Sequence, residues 1–352
     1  MHTNKIKISA MFFFAVSCLL YFTLSIPSNS IWLDQLKAVD IAKDILDGNF
    51  PLVGYLHSNG MHSFPAFYYF IAPLVYISEN PLFLYLSVAF SYIVGILLLA
   101  NYTFKKYGYF ESVIFLLFSG THVWSLFFSS FFWNPNYIPF FMCMFIIFLS
   151  KLLNESKSVI YFHLSGILIN IVVQMMPQAI ILIPAFIFIL YLFKKLPSIL
   201  NQLIHVLIQI TFVYPWLHYY IFVFNWEQFQ SRKKLFKGFS TPVLEYINYL
   251  GGWGLTNEYG ANISYGTNAF PFTSIFNNLL AVSALILLTM IIYSTYLSLR
   301  QIHFTNILKI QVNTINEEVC PKEKLLIALT IINLTCVFIF LTGMHVHAHH
   351  YQ

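Results

Sequence analysis

The chain has 352 residues, of which 59% are hydrophobic and only 9% charged. A soluble domain carries about 25% charged residues to cover its surface, so a soluble fold is excluded. The apolar runs are continuous rather than alternating, which leaves helices rather than a barrel as the means of satisfying a backbone in lipid. The net charge of +5 comes from scattered basic residues and gives no footprint for nucleic acid. The four cysteines suggest neither a disulfide framework nor a zinc site.

The first apolar run, about 8–26, follows Lys5 and Lys7 and lacks a small-x-small site near Pro27. It predicts a retained signal-anchor helix rather than a cleaved leader. Further runs long enough to cross about 30 Å of hydrocarbon lie near 82–104, 110–131, 136–152, 158–175, 177–193, 200–224, 276–299 and 325–344. The stretch 64–78 is short for a span and carries Pro65 and Pro73. Charge placement decides its status. With 64–78 at the interface and the N-terminus in the cytoplasm, Lys5, Lys7, Lys105, Lys106, Lys151, Lys157, Lys194, Lys195, Arg300, Lys309, Lys322 and Lys324 fall inside. Only Lys37, Lys43, Arg232, Lys233, Lys234 and Lys237 fall outside. This obeys the positive-inside rule, and a spanning 64–78 would reverse it. The expected fold is therefore all-α. It is a single polytopic transmembrane helix bundle over 1–352 with about nine spans, interfacial helices in a large first outer loop (27–80), and a second large outer loop (225–274).

Residues 31–47 carry Asp34, Asp40, Asp44 and Asp47. Apolar residues at 33, 36, 41, 42, 45 and 46 predict a surface helix with one greasy face. The last three acids read as a solvated face pairing with Lys37 and Lys43. Asp34 follows the first span beside Trp32, and two roles are open to it: helix N-cap, or general base toward an acceptor hydroxyl. Gly48 to Gly54 punctuates a turn, followed by His57 and His62 and by an aromatic block, Phe64 to Pro73, suited to the interface. The two histidines are five apart, off any shared helical face, and no metal site is assigned. Trp133-Asn-Pro-Asn136 reads as a helix start with Asn134 as cap. A functional role there needs Asn136 to face a cavity. Arg232, Lys233, Lys234 and Lys237 stand beside Trp226, Phe229, Phe236 and Phe239. Such a cluster suits a lipid phosphate or simple attraction to anionic headgroups. The tail carries His345, His347, His349 and His350 at the outer end of the last run, with no partners that would make a metal site.

Taken in order, these features resemble the GT-C class of membrane glycosyltransferases, which includes protein O-mannosyltransferases and lipid A aminoarabinose transferases. The resemblance covers most of the chain in layout and rests on short motifs. In that class an acidic residue follows the first span, and here Asp34 in Trp-Leu-Asp-Gln holds the position. Many members have Asp-Glu, where this chain has Asp34-Gln35. The Gly-x-Phe-Pro turn and Phe64-Pro-Ala-Phe-Tyr68-Tyr are similar to the segment leading to the second span. Asn136 stands where many members carry an acid. His349-His-Tyr351 resembles a His-Tyr pair that in relatives precedes further spans, which implies a chain shorter than the family norm.

The resemblance implies a multi-pass protein of the plasma (inner) membrane with its active face periplasmic or extracellular. Its donor would be a polyprenyl-phosphate sugar, bound through Arg232, Lys233, Lys234 or Lys237. Asp34 would be the base toward a hydroxyl of a lipid, glycan or protein acceptor, with inversion. His57, His62, Tyr68, Asn136, His349 and Tyr351 would line the substrates, with no cofactor or metal. Membrane lipids are the other expected partner. A transporter or flippase of lipid-linked glycans, and a polysaccharide polymerase, are the alternatives. A transporter should carry ionisable residues or broken helices at mid-membrane, where this chain offers only a few, His122, His163 and His205 with Glu111 near a span end, and the large outer loops favour the enzyme.

Overall fold

The computed structural model describes residues 9, 11–13, 16, 33–56, 62–121, 132–155, 158–224, 293 and 324–332. Among these the regular structure is helical, and the β pairing is one isolated bridge between Leu56 and His62. The helices are α1 (Leu33–Leu46), α2 (Ala66–Ile77), α3 (Pro81–Lys106), α4 (Tyr109–Thr121), α5 (Ile138–Asn154), α6 (Ser158–Met175), α7 (Leu182–Leu192) and α8 (Ile199–His218). A 3-10 turn, Asn134–Tyr137, leads into α5 and another, Pro177–Ile181, into α7. A π turn, Tyr219–Val223, follows α8.

Three stretches are long and apolar enough to cross a membrane: Pro81–Lys106, Asn134–Asn154 and Ile199–Val223. They coincide with the runs expected at 82–104, 136–152 and 200–224. Shorter apolar helices cover Val159–Met175 and Ala179–Leu192, where two more runs were expected. Of the run at 276–299 only residue 293 is described, of 325–344 only residues 325–332, and most of 8–26 lies outside the described residues. Ala66–Ile77 has 12 residues, about 18 Å of helix and well short of 30 Å. Local chemistry sets the ends of α3. Asn80 caps it, its side chain accepting from the Leu82 amide at 2.9 Å with Pro81 in the first turn, and Lys105 and Lys106 complement the dipole of its last turn.

The chain divides into two compact units, Met1–Phe148 with His163–Ala179 and Ser198–Leu235, and Leu149–Phe162 with Ile180–Pro197 and Phe236–Gln352. In the first unit α3 packs against α4. Tyr92, Ile96, Ala100 and Leu116 form one core cluster, and the Ser112 hydroxyl donates to the Ala100 carbonyl at 3.0 Å. Leu99, Cys143 and Ile147 form another between α3 and α5. Gly95 permits that approach, because a Cβ there would stand 3.0 Å from the Phe140 Cα. In the second unit the Phe162 and Phe186 rings stack at 6.2 Å and the Lys151 ammonium lies 5.2 Å from the Tyr161 ring centre. Burial and the neighbouring Lys324 ammonium hold the Lys195 amine below its ordinary range. Both act against a second positive charge.

Helix α1 differs from its expected design. Its buried face is Gln35, Ala38, Val39 and Ala42, spaced three and four apart, and it lies against α2. Leu36 and Leu46, expected on the greasy face, are exposed. Small side chains win that seam because two helices laid in contact need Ala rather than Leu between their backbones. Lys43 also departs from the expected pairing. Its ammonium bonds the Glu79 carboxylate at 2.7 Å, which holds its pKa above the ordinary value. Lys37 lies 5.7 Å from the Tyr55 ring centre. At the start of α5 the expected cap is displaced by one residue. Trp133 is the N-cap, in extended backbone without a side-chain cap bond. Asn134 instead donates to the Met175 carbonyl at 2.7 Å, satisfying an otherwise orphaned acceptor at the end of α6.

Candidate functional site

The loop before α2 is clasped by the end of α8. The two segments are 154 to 158 residues apart in sequence, so no local pattern announces the contact. Three side chains from one helical turn hold His62. The Trp216 indole donates to its carbonyl at 3.2 Å, its amide donates to the Tyr220 hydroxyl oxygen at 2.6 Å, and the Tyr219 hydroxyl lies 3.2 Å from its Nε2. Phe64 stacks on Trp216 at 4.7 Å. Pro215 interrupts α8 just before this turn, and the π turn follows. A proline removes a backbone donor, and π turns re-aim side chains, often at functional sites.

The imidazole is further fixed by its other nitrogen. His62 Nδ1 lies 2.9 Å from the Gly54 carbonyl, and a carbonyl can only accept, so Nδ1 carries a hydrogen and donates it. The loop beneath is tight. The Gly54 amide donates to the Ser63 carbonyl at 2.8 Å and the Ser63 amide to the Tyr55 carbonyl at 3.0 Å. Gly54 has to be glycine because a Cβ would overlap the Tyr68 ring and the Ser63 hydroxyl.

Other expected site residues take different positions. Asp34 lies in the first turn of α1, and its side chain is outside the described atoms. Its neighbour Gln35 is buried, accepting from the Tyr85 hydroxyl at 3.2 Å. Tyr68 is 1% exposed with its hydroxyl 2.7 Å from the Ser63 Oγ, a position that supports the loop rather than meeting solvent. Asn136 is 3% exposed, beside Tyr137, whose hydroxyl meets the Ser87 Oγ at 2.6 Å. His57, Arg232, Lys233, Lys234, Lys237, His349 and Tyr351 lie outside the described residues.

A second constellation runs between α6 and α8. Gln174 donates through Nε2 to the Asn170 Oδ1 at 2.7 Å, and Asn170 donates through Nδ2 to the Gln209 Oε1. Gln209 Nε2 stands 2.9 Å from His205 Nε2, and His205 Nδ1 stands 3.1 Å from His163 Nδ1. An amide nitrogen can only donate, so His205 Nε2 accepts and its hydrogen sits on Nδ1, facing His163. Every member then donates in the same direction, from Gln174 to His163. The ladder covers 12 residues of α6, His163 to Gln174, about 16 Å of rise. Gly166 is cut away for it, since a Cβ there would overlap the His205 imidazole. The Gln174 Oε1 at its start is buried with no partner among the described residues. Only His163 and His205 stood out in the sequence. The readable signal for the rest was helical spacing, 163-170-174 on one run and 205-209 on another.

Among the described residues no group of three or more His, Cys, Asp or Glu side chains could hold a metal ion. The chain matches no protein-family model, no curated protein and no solved structure. What the fold defines is a mostly helical protein with helices able to cross a membrane by length and composition.

Proposed function

We propose that the chain is an integral membrane glycosyltransferase that moves a sugar from a polyprenyl-phosphate donor to an acceptor hydroxyl on the outer face. The observation that carries the reading is the construction of the first loop. Helices α1 and α2 lie together, and this loop meets the ends of α3, α5 and α8 through the contacts of Gln35 with Tyr85, Phe67 with Tyr137, and His62 with Trp216. Those are the ends that charge placement assigns to one side. Asp34 begins this assembly. In the proposed step Asp34 takes the proton of the acceptor hydroxyl and the oxygen attacks the anomeric carbon. The bond from that carbon to the phosphate oxygen breaks with inversion, its electron pair leaving on the phosphate. Arg232, Lys233, Lys234 and Lys237 are the proposed cations for that charge. Sugar release from a polyprenyl-phosphate donor by the full chain in nanodiscs tests the reading. Asp34→Asn should reduce it by about a hundredfold or more, and full activity in that variant would remove the base assignment.

A second reading, a transporter for lipid-linked glycans, is favoured by one observation, the polar ladder. Polar and ionisable groups inside apolar helices are expensive and by default mark a pathway. Transbilayer movement of a labelled lipid-linked glycan, without any transfer of its sugar, would select this reading over the first.

A further inference from the structure

The polar ladder between α6 and α8 has two directions in which its bonds can run. As described above, each member donates toward His163: Gln174 to Asn170, Asn170 to Gln209, Gln209 to His205 Nε2, and His205 Nδ1 to His163 Nδ1. A primary amide carries its oxygen and its nitrogen on one trigonal carbon. Half a turn about a single bond therefore exchanges acceptor and donor at nearly constant shape. The ends of the ladder, not its packing, set the direction.

The histidine end sets it by its proton count. With the pair neutral, one hydrogen lies between the two Nδ1 atoms and His205 Nε2 accepts from Gln209. An added proton has two places. On His205 it occupies Nε2 and meets the Gln209 nitrogen, donor against donor. On His163 it occupies Nδ1, so His205 must accept there and carry its own hydrogen on Nε2, and the same conflict arises. Either way Gln209 has to present Oε1. Its nitrogen then faces Asn170, which turns to present Oδ1. The Asn170 nitrogen in turn faces Gln174, which turns to accept through Oε1.

The glutamine end favours the present direction. Gln174 Nε2 serves both the Asn170 Oδ1 at 2.7 Å and the Phe212 carbonyl at 3.3 Å, and its Oε1 alone goes unmatched among the described residues. Reversal gives Oε1 a donor, but it takes one from Phe212 and buries the amide nitrogen where the oxygen stood. The neutral pair thus holds the ladder as it stands, and a proton opposes it. We propose that the ladder is a proton-operated switch: one proton taken up by the pair of His163 and His205 turns Gln209, Asn170 and Gln174 over together, and at the far end a buried acceptor is replaced by a buried donor. Gln174 meets the Phe212 carbonyl one turn before Trp216, so the change arrives at the base of the turn that clasps the first loop. Neither helix carries an acid, a lysine or an arginine. Their other titratable groups are Tyr161 on α6, with the Lys151 ammonium over its ring, and Tyr214 and His218 on α8. The inference rests on neither functional reading above.

Solid-state 15N NMR of the full chain in phosphatidylcholine bilayers, labelled in histidine, asparagine and glutamine, tests this. At about pH 8 His205 should carry its hydrogen on Nδ1 and hold Nε2 unprotonated. The pH is then lowered to about 4, through and below the ordinary histidine range. His205 Nε2 should gain a hydrogen, and the side-chain amide signals of Gln209, Asn170 and Gln174 should move with the same midpoint. Asn170→Leu breaks the relay, so the histidines should still titrate while the Gln174 signal loses its pH dependence. His205→Ala removes the proton site and should fix the Gln174 signal as well. A Gln174 signal that stays fixed in the wild-type chain while the pair titrates overturns the switch. So does a folded chain whose pair takes up no proton down to about pH 4, or one whose His205 carries its hydrogen on Nε2 at about pH 8. A Gln174 signal that still moves in either variant overturns the relay through Asn170 and Gln209. The wild-type measurement decides the matter by itself if a variant does not fold.

Discussion

Gly166 offers a substitution whose sign is decided by competing effects. In an open helix Gly→Ala is favourable by about 1 kcal/mol, because alanine restricts the unfolded backbone. Here the new methyl would occupy the space of the His205 imidazole. Overpacking of this kind costs about 1–3 kcal/mol. Moving the ring also strains its bonds to Gln209 and His163, worth about 0.6 kcal/mol each within a membrane. The net expectation for Gly166→Ala is destabilisation by about 1–3 kcal/mol. His205→Ala empties the space, so Gly166→Ala made in that background should regain its favourable sign, a coupling of about 2–4 kcal/mol between the two sites. Reversible unfolding in mixed detergent micelles measures all four proteins. A neutral or stabilising Gly166→Ala in the otherwise unchanged chain refutes the packing argument, as does an equal effect in both backgrounds.

Tyr68→Phe removes a buried hydroxyl and strands the Ser63 Oγ, which retains only a 3.4 Å contact to the Tyr55 carbonyl. Stability should fall by about 1–2 kcal/mol, with sugar transfer per folded molecule unchanged. Lys195 is held below its ordinary range by burial and by Lys324. The unfolded chain then binds the extra proton more tightly, so stability rises with pH from the lowered value up to the ordinary lysine range. Lys324→Gln should accordingly raise the melting temperature at neutral pH and change nothing above the lysine range. A gain that persists at alkaline pH would place its cause elsewhere. Glu79→Gln breaks the exposed pair with Lys43 and should leave melting unchanged, because exposed ion pairs contribute little.

The parts of the fold that depend on bulk apolarity were legible in the sequence. The limits of α3, of the Asn134–Asn154 stretch and of α8 follow apolar runs bounded by Lys, Pro and Asn, and each signal is local. Faces and partners were less legible. The greasy face drawn for α1 included Ala42, which is buried, but it also took in Leu36 and Leu46, which are exposed, and left out Ala38 and Val39, because contact between helices selects small residues over large ones. Asn134 reads as a cap because Asn before Pro usually is one, yet its amide is taken by the Met175 carbonyl 41 residues away. The clasp on His62 was invisible for the same reason, since tertiary proximity leaves no trace in local spacing. The ladder is an intermediate case. Its spacing was in the sequence, but Asn and Gln in apolar runs draw less attention than charges do.

The ladder also separates the two functional readings. Asn170 sits at its middle, donating to Gln209 and accepting from Gln174. Asn170→Leu keeps the volume of the side chain roughly constant and removes both bonds, a loss of about 1.2 kcal/mol at the usual strength of such pairs in membranes. It also leaves the two glutamine amides short of a partner. If the ladder only ties α6 to α8, the variant is less stable but each folded molecule transfers sugar at the wild-type rate, because the proposed chemistry involves Asp34 of the first loop and the cations at 232–237. If the ladder is a route for polar groups, cutting it stops transbilayer movement even when the folded fraction is restored at low temperature. The transferase reading requires the first outcome, since its donor and acceptor meet on one face and need no path between α6 and α8.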